Sequence, residues 1–381
     1  MGAMWEIVFW SCVAVLAYAQ VGYPLLLAAL SRCKRPRALA LQRPATGRET
    51  PSVSLIVAAY DEGAVIGAKV ADALALDYPR ERLQVIVASD GSADGTVSEA
   101  RRAGADVVLD LPRGGKIRAQ DTAVAQASGD ILAFSDANSS WEPAALRTLV
   151  AAFEHDPSVG YACGQVRFVN DGGTNQEGLY WRYEMALRTM ESKLGSITAG
   201  NGAIYATRRD AYINVDPIMG HDLSFPFNMV KQGWRAIYVP AARASEKMVP
   251  SIEGEFARKR RMMSHAWPIV VRGGLLSPRG YPPLYLLMIV SHRVLRYAAP
   301  FVHVVAYVAS AVLVDESPVY ALAFVAQIAL LGAAVLGGIV RFKPLLVARY
   351  YVLTTASVAA GLWDWLRHGT PAGWEPADGT R

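Results

Sequence analysis

Two carboxylates, Asp90 and Asp136, each close an apolar run that reads as a β-strand. Leu83–Ala88 leads into Ser89-Asp90-Gly91-Ser92, and Ile131–Phe134 into Ser135-Asp136-Ala137-Asn138. In a parallel sheet such strand ends collect on one edge, where open α/β sheets bind their ligands. Two carboxylates there suit a hard divalent cation: Mg²⁺ takes about six oxygens, often one or two from protein and the rest from water and substrate phosphates. A nucleoside diphosphate is thereby implied, and Lys116, behind Gly114-Gly115, offers it a cation. Taken singly, Asp90-Gly91 and Asp136-Ala137-Asn138 are also ordinary turn sequences, and Lys116 an ordinary solvated lysine. Their recurrence in one strand-helix series is what favours a site. No Gly-x-Gly-x-x-Gly follows the first strand and no Gly-x-x-x-x-Gly-Lys-Ser/Thr occurs, so dinucleotide-binding and P-loop readings lack their fingerprints.

The elements that must position these residues alternate regularly. Strand Val53–Ala59, helix Gly63–Leu76, strand Leu83–Ala88, helix Asp94–Arg102, strand Asp106–Leu109, a helix running to Ala127 and strand Ile131–Phe134 predict an α/β domain. Its sheet should be mostly parallel, with helices on both faces. Trp141-Glu142-Pro143 opens a further helix, and strands are expected at Val159–Ala162, Ala203–Ala206 and Arg235–Val239. Tyr180, Tyr183, Leu187, Met190 and Leu194 recur at helical spacing and predict an amphipathic helix packed in the core. Asp222–Gln232 is the last helix of the domain, and Asp222 would suit its N-cap.

Composition sets the surroundings. The chain has 381 residues, 52% hydrophobic and 19% charged, with a positive mean hydropathy. Its apolar excess lies in uncharged runs, Ile7–Leu30, Pro318–Val340 and Tyr350–Trp363, and a membrane-crossing helix needs roughly 20 such residues. Arg32, Lys34, Arg35 and Arg37 follow the first run while only Glu6 precedes it, which puts the following domain in the cytoplasm of a bacterial-type inner or plasma membrane. The net charge of +5 is modest, and basic residues beside membrane segments attract anionic lipid head groups, so nucleic acid is not a partner. Cys12, Cys33 and Cys163 lack metal-ligand spacing and read as reduced thiols. The expected organisation is a transmembrane helix over 1–31, a linker over 32–52 and the α/β domain over 53–250. Interfacial amphipathic helices follow over 251–298, where Arg258 to Arg296 interrupt the apolar pattern, then crossings over 299–366, including one at Pro300–Val314, and a tail over 367–381.

The order of motifs resembles that of the membrane-embedded family 2 glycosyltransferases, such as cellulose, hyaluronan, chitin and poly-N-acetylglucosamine synthases. Ala58-Ala59-Tyr60-Asp61-Glu62 is similar to the family's opening Pro-x-Tyr-Asn-Glu, and Ser89-Asp90-Gly91-Ser92 to its base-holding motif. Gly114-Gly115-Lys116 resembles its nucleotide-contacting lysine, and Asp136-Ala137-Asn138 its metal-binding Asp-x-Asp. Gly200-Asn201-Gly202 stands for its acceptor-side loop, and His221-Asp222 for its acidic pair. The resemblance implies a GT-A-like domain in which Ala59, Tyr60, Glu62, Asp90, Lys116 and Asp136 hold a nucleotide-sugar, foremost a UDP-sugar. It further implies that Asp136 and Asn138 hold Mg²⁺ or Mn²⁺, that Gly200, Asn201, Gly202 and His221 line the acceptor side, and that Asp222 is the general base for inverting transfer. Acceptors would be a growing polysaccharide or a glycolipid, with single addition to a polyprenyl-phosphate or lipid-linked acceptor as the alternative and a catalytically silent scaffold as the non-enzyme reading.

Three departures qualify the resemblance. Arg258-Lys259-Arg260-Arg261-Met262 occupies the place of Gln-x-x-Arg-Trp: Arg261 matches and is the expected diphosphate ligand, while Met262 replaces the stacking tryptophan, for which Trp267 is a candidate substitute. The same basic cluster fits a juxtamembrane lipid-facing patch. Asn138 removes one charge from the expected metal shell. The ending Trp374-Glu375-Pro376 with Thr380-Arg381 resembles a tail that lies at the site in relatives, yet four crossings would leave it on the opposite side.

Overall fold

The computed structural model describes residues 2–33, 50–169, 177–247, 251–371 and 373. Helix α1 (Gly2–Cys33) precedes a domain of eight strands. These are β1 (Val53–Ala59), β2 (Leu83–Asp90), β3 (Val107–Leu111), β4 (Ile131–Asp136), β5 (Ser140–Trp141), β6 (Val159–Val169), β7 (Ile204–Arg208) and β8 (Arg235–Lys247). The sheet order is β3-β2-β1-β4-β7-β6-β8-β5. From β3 to β4 all pairs are parallel, with Val53 opposite both Leu83 and Ile131. Every β1 residue is buried, as expected of a central strand covered on both faces. Beyond β4 the sheet is mixed: β7 runs antiparallel to β4 and β6, β8 is parallel to β6, and β5 is antiparallel to β8. The elements expected in the second half are present, but the all-parallel pairing of the strand-helix series stops at β4. Trp141, expected with Glu142 and Pro143 to open a helix, lies instead in the short strand Ser140–Trp141, and the helix α5 (Ala145–His155) starts later.

Helices α2 (Gly63–Leu74), α3 (Thr96–Arg102) and α4 (Lys116–Gln126) connect the parallel strands, and α6 (Glu177–Leu194) and α7 (His221–Lys231) join the mixed half. The apolar stripe of α6 does not all face the sheet. Leu187 and Leu194, with Tyr183 and Met190, pack on Tyr23 and Leu27 of α1, whereas Met185 and Trp181 meet the sheet core. Fully burying a side chain such as Leu27 or Phe227 contributes about 1.5–3 kcal/mol, so this apolar cluster holds the domain against α1.

Four helices, among the described residues, are long and apolar enough to cross a membrane: α1, α9 (Pro283–Val312), α10 (Pro318–Leu336) and α11 (Lys343–His368). A preceding amphipathic helix, α8 (Ile252–Val271), links β8 to them. The expected break near residue 298 is absent, because α9 is continuous from Pro283. Its charges are satisfied by protein instead of by an interface. Arg296 pairs with Glu184, Arg293 Nε donates to Thr198 Oγ1 at 2.9 Å, and His292 bridges Glu191 (2.6 Å) and Glu184 (3.3 Å). Tyr23 of α1 donates to Glu191 at 2.7 Å. Both α1 and α9 carry a π-helical turn at this level, Tyr18–Gly22 and Ile289–Val294, joined by Tyr18–Ser291 at 2.9 Å.

Helix α11 lies along α8: Arg349 meets Glu253, Trp267 Nε1 donates to Val358 O, and the Arg272 guanidinium covers Trp365. Gly373, just beyond α11, comes close to the sheet domain: a Cβ built on it would sit 3.6 Å from the Arg113 guanidinium.

Candidate active site

The parallel half of the sheet ends in two adjoining recesses. The smaller is lined by Ala58, Ala59, Tyr60, Asp90, Arg113 and Lys116. Asp90, at the end of β2, is buried and accepts backbone N–H bonds from Gly114 (2.7 Å) and Gly115 (2.9 Å) and a bond from Arg113 Nη1 (2.9 Å). The Gly-Gly pair is thus more than a turn. Gly115 has φ +95°, which disfavours any side chain, and it presents its N–H to the carboxylate while starting α4 at Lys116. Arg113 stacks on Tyr60, 3.3 Å from the ring centroid, giving the recess a flat cationic lid.

The larger cavity, about 470 Å³, runs from the end of β4 towards α8 and α9. Asp136 and Asn138 stand at one end, with Lys116 ion-paired to Asp136. A Cβ on Gly202 would lie 3.3 Å from Lys116 Nζ and 3.7 Å from Asp136 Oδ2, so the Gly200-Asn201-Gly202 loop closes over this pair. Asp222, His221 and Arg261 line the same cavity. The residue at the N-cap of α7 is Gly220, with no side-chain cap bond; Asp222 is not the cap, and its carboxylate is left for the cavity. Its backbone carbonyl accepts from Gly200 N at 2.7 Å, fixing loop and helix start together.

Asp90 and Asp136 therefore do not share one recess: β1 separates their strands, and Lys116 is the residue common to both walls. Glu62 lines neither; it is buried, and its carbonyl accepts the Val65 and Ile66 N–H groups at the start of α2. Asn201 lines the cavity, but its amide is committed to the loop, donating to Gly164 O (2.7 Å) and accepting from Ala203 and Ile204 N–H (3.2 and 2.9 Å). His221 is caged by Phe134, Tyr205, Tyr212 and Phe225, with Nδ1 2.7 Å from the Tyr205 hydroxyl. Burial first and the Lys116 charge second hold it neutral, well below the usual histidine range. Trp267 does not substitute for the missing stacking tryptophan, since it points to Val358, while Met262 lines the cavity. Trp374 to Arg381 lie outside the described residues.

Sequence reasoning missed Glu184, Arg188, Glu246, Arg293 and Tyr297, all in the cavity wall. Glu246, near the end of β8, is pushed up to about 7 by burial and by the neighbouring Asp136 charge. Behind the wall, Lys69 is buried, donates to Ser139 O at 2.6 Å and is brought down to about 8 by burial. Nothing local in the sequence marked Glu246 or Lys69. Among the described residues no three His, Cys, Asp or Glu side chains gather as a metal cage. Asp136 with the Asn138 side-chain oxygen still fits Mg²⁺ or Mn²⁺, which draw further oxygens from water and substrate phosphates.

A parallel first half, a mixed second half and a cavity spanning their junction give the domain a GT-A-like fold. Residues 51–264, more than half of the chain, match the family described as glycosyltransferase like family 2, and the chain belongs to that family. It is similar to the poly-beta-1,6-N-acetyl-D-glucosamine synthase of Staphylococcus aureus (strain COL), 22% identical over 253 residues. That match covers 63% of this chain and 61% of the relative, so the chain spans about three fifths of the length of that relative. An N-acetylglucosaminyltransferase of Rhizobium leguminosarum bv. viciae is 27% identical over 241 residues, 57% of this chain and 56% of that one. A mannosyltransferase from Pyrobaculum calidifontis, solved with GDP-Man and Mn²⁺, superposes with a TM-score of 0.71 over 94% of this chain and 99% of its own, at 24% identity. That likeness is one of fold.

Proposed function

We propose that this chain is an integral-membrane, divalent-metal-dependent, inverting transferase with a cytoplasmic catalytic domain. It moves a hexose or N-acetylhexosamine from a nucleoside diphosphate, foremost a UDP-sugar, to a hydroxyl of a growing saccharide or glycolipid. The observation that carries this reading is one continuous cavity holding Asp136, Lys116, Asp222 and Arg261 and reaching Arg293 and Tyr297 on a membrane-helix candidate. The S. aureus relative, whose name is that of a polysaccharide synthase, and the GDP-Man and Mn²⁺ bound to the structural neighbour support the substrate class and the metal.

In this reading the base stacks by Tyr60 and Arg113, with Asp90 holding the loop that bears Lys116. Asp136 and Asn138 would hold Mg²⁺ or Mn²⁺, which would supply charge neutralisation to the diphosphate. Lys116 and Arg261 add fixed positive charge around the leaving diphosphate. Asp222 accepts the acceptor hydroxyl's proton as that oxygen attacks the anomeric carbon from the face opposite the leaving group. Closing loop 200–202 over the Lys116–Asp136 pair excludes water from the donor. With α1 entering, α9 leaving and α10 returning, an interfacial α11 keeps Gly373, beside Arg113, on the catalytic side.

A second reading, single addition to a polyprenyl-phosphate or lipid-linked acceptor, draws on Met262, which gives the cavity no stacking surface where processive relatives carry tryptophan. The test uses the full chain in nanodiscs with a panel of UDP-, GDP- and dTDP-sugars and Mg²⁺ or Mn²⁺. Diphosphate release with one donor is expected, and product mass separates a ladder from a single addition. Asp222→Asn should lower kcat by about 10²–10⁴, the usual contribution of a general base; transfer at the wild-type rate would remove Asp222 from that role.

A further inference from the structure

We propose that Glu246 is a third protein ligand of the divalent cation, supplying the negative charge that Asn138 does not. The inference rests on the metal-dependent reading above and extends it to a residue outside the Asp136-Ala137-Asn138 motif.

Strand pairing brings Glu246 to this place. β5 and β8 pair antiparallel, Ser140 opposite Ser245 and Trp141 opposite Ala244, so the register carried one step on sets Glu246 across from the turn that follows Asp136. Glu246, Asp136 and Asn138 line the same cavity. The Glu246 Oε1 oxygen is sealed from solvent and has no hydrogen-bond partner, although buried carboxylate oxygens are normally satisfied.

The neighbouring cations do not supply that partner. Lys116 is paired with Asp136, Lys69 donates to Ser139 O at 2.6 Å, and Arg258 is held by Glu255 at 2.7 and 2.8 Å. Two carboxylates lining one cavity disfavour each other's ionised form, and a cation held between them removes that cost. A hard divalent ion is the ligand class that takes two carboxylates and an amide oxygen together while leaving positions for phosphate. A sugar hydroxyl would satisfy Oε1 as well, but it would leave the repulsion with Asp136 in place.

The test is Mn²⁺ binding to the purified full chain in nanodiscs, read from the loss of free-ion electron paramagnetic resonance signal, with Mn²⁺ alone and no turnover. Glu246→Gln should weaken Mn²⁺ about tenfold or more, the scale on which disturbing a metal's surroundings lowers affinity, with the thermal melt retained. Asn138→Asp in the Glu246→Gln background should restore tight binding by returning the missing charge. Equal Mn²⁺ affinity of wild type and Glu246→Gln overturns the proposal while the metal-dependent reading stands. A wild-type chain that binds no Mn²⁺ overturns both. A Glu246→Gln variant that changes only KM for sugar substrates, with Mn²⁺ affinity unaltered, also overturns it and assigns Glu246 to the sugar.

Discussion

Gly200 is the point where the 200–202 loop is pressed hardest against the sheet. A Cβ on it would fall 1.9 Å from the Tyr161 hydroxyl oxygen, 2.8 Å from Cζ and 3.1 Å from Cε1. Tyr161 is fully buried on β6 and stacks on Tyr205, so it has little room to retreat. The loop is equally fixed, since Gly200 N donates to Asp222 O and Gly200 O accepts from Arg188 Nη2 at 3.0 Å. Gly200→Ala therefore overpacks the junction, at a cost of about 1–3 kcal/mol. For a domain of this size that lowers the melting temperature by roughly 2–12 °C, at about 2–4 °C per kcal/mol. Because the strain is shared with Asp222, kcat should fall with stability.

Tyr161→Phe removes the atom at 1.9 Å and leaves the next contact at 2.8 Å. In that background Gly200→Ala should cost roughly half as much, a coupling of about 0.5–1.5 kcal/mol, within the range seen for touching residues. The assay is a double-mutant cycle by thermal unfolding in nanodiscs, with initial rates on the same four proteins. If Gly200→Ala shifts the melt equally with and without the Tyr161 hydroxyl, Tyr161 is not what holds the loop and the steric argument fails.

Lys69 gives a pH dependence. Its folded value near 8 lies below the ordinary 10.5, so between these values the unfolded chain binds more protons, and stability rises with pH, by up to about 3 kcal/mol at roughly 1.36 kcal/mol per unit. Melts should climb from pH about 7.5 to 10 in wild type relative to Lys69→Met, and parallel curves would refute the shift. His292→Ala leaves Glu184 and Glu191 buried without their shared partner, at about 3–5 kcal/mol, whereas His292→Leu with Glu191→Met should recover much of the loss; a single variant that melts with wild type would show that the bridge is unimportant.

The parallel half of the domain was legible because each of its strands is buried on both faces and so reads as an apolar run ending in a polar signal, as Val53–Ala59 does before Tyr60-Asp61-Glu62. The mixed half was legible as elements but not as a sheet, since antiparallel β7 between β4 and β6 depends on contacts between Phe134, Tyr205 and Tyr161 that no local pattern records. Asp136, Lys116 and Asp222 carried spacing or motif signals, so they could be named in advance. Glu246 and Lys69 could not, because each owes its place to a partner far away in sequence: Glu246 through the Ser140–Ser245 pairing, Lys69 through the carbonyl of Ser139.

The misplaced boundary near residue 298 has the same origin and says more about how the site is built. Arg293 and Arg296 read as marks of an interface because charges in a spanning helix are costly unless paired. Here the pairing comes from the α/β domain: Glu184 and Glu191 lie on α6, whose Tyr183 also donates to Gln20 O inside the π-turn of α1 at 3.0 Å. Thr198 closes the circuit, its N–H bonded to Glu191 Oε2 at 3.0 Å and its hydroxyl accepting from Arg293. Two residues on is Gly200, whose N–H holds the Asp222 carbonyl. The charges that make α9 a poor apolar span are thus the ones that fix the 200–202 loop. Removing them to improve the helix should loosen the position of Asp222 before it disturbs the sheet.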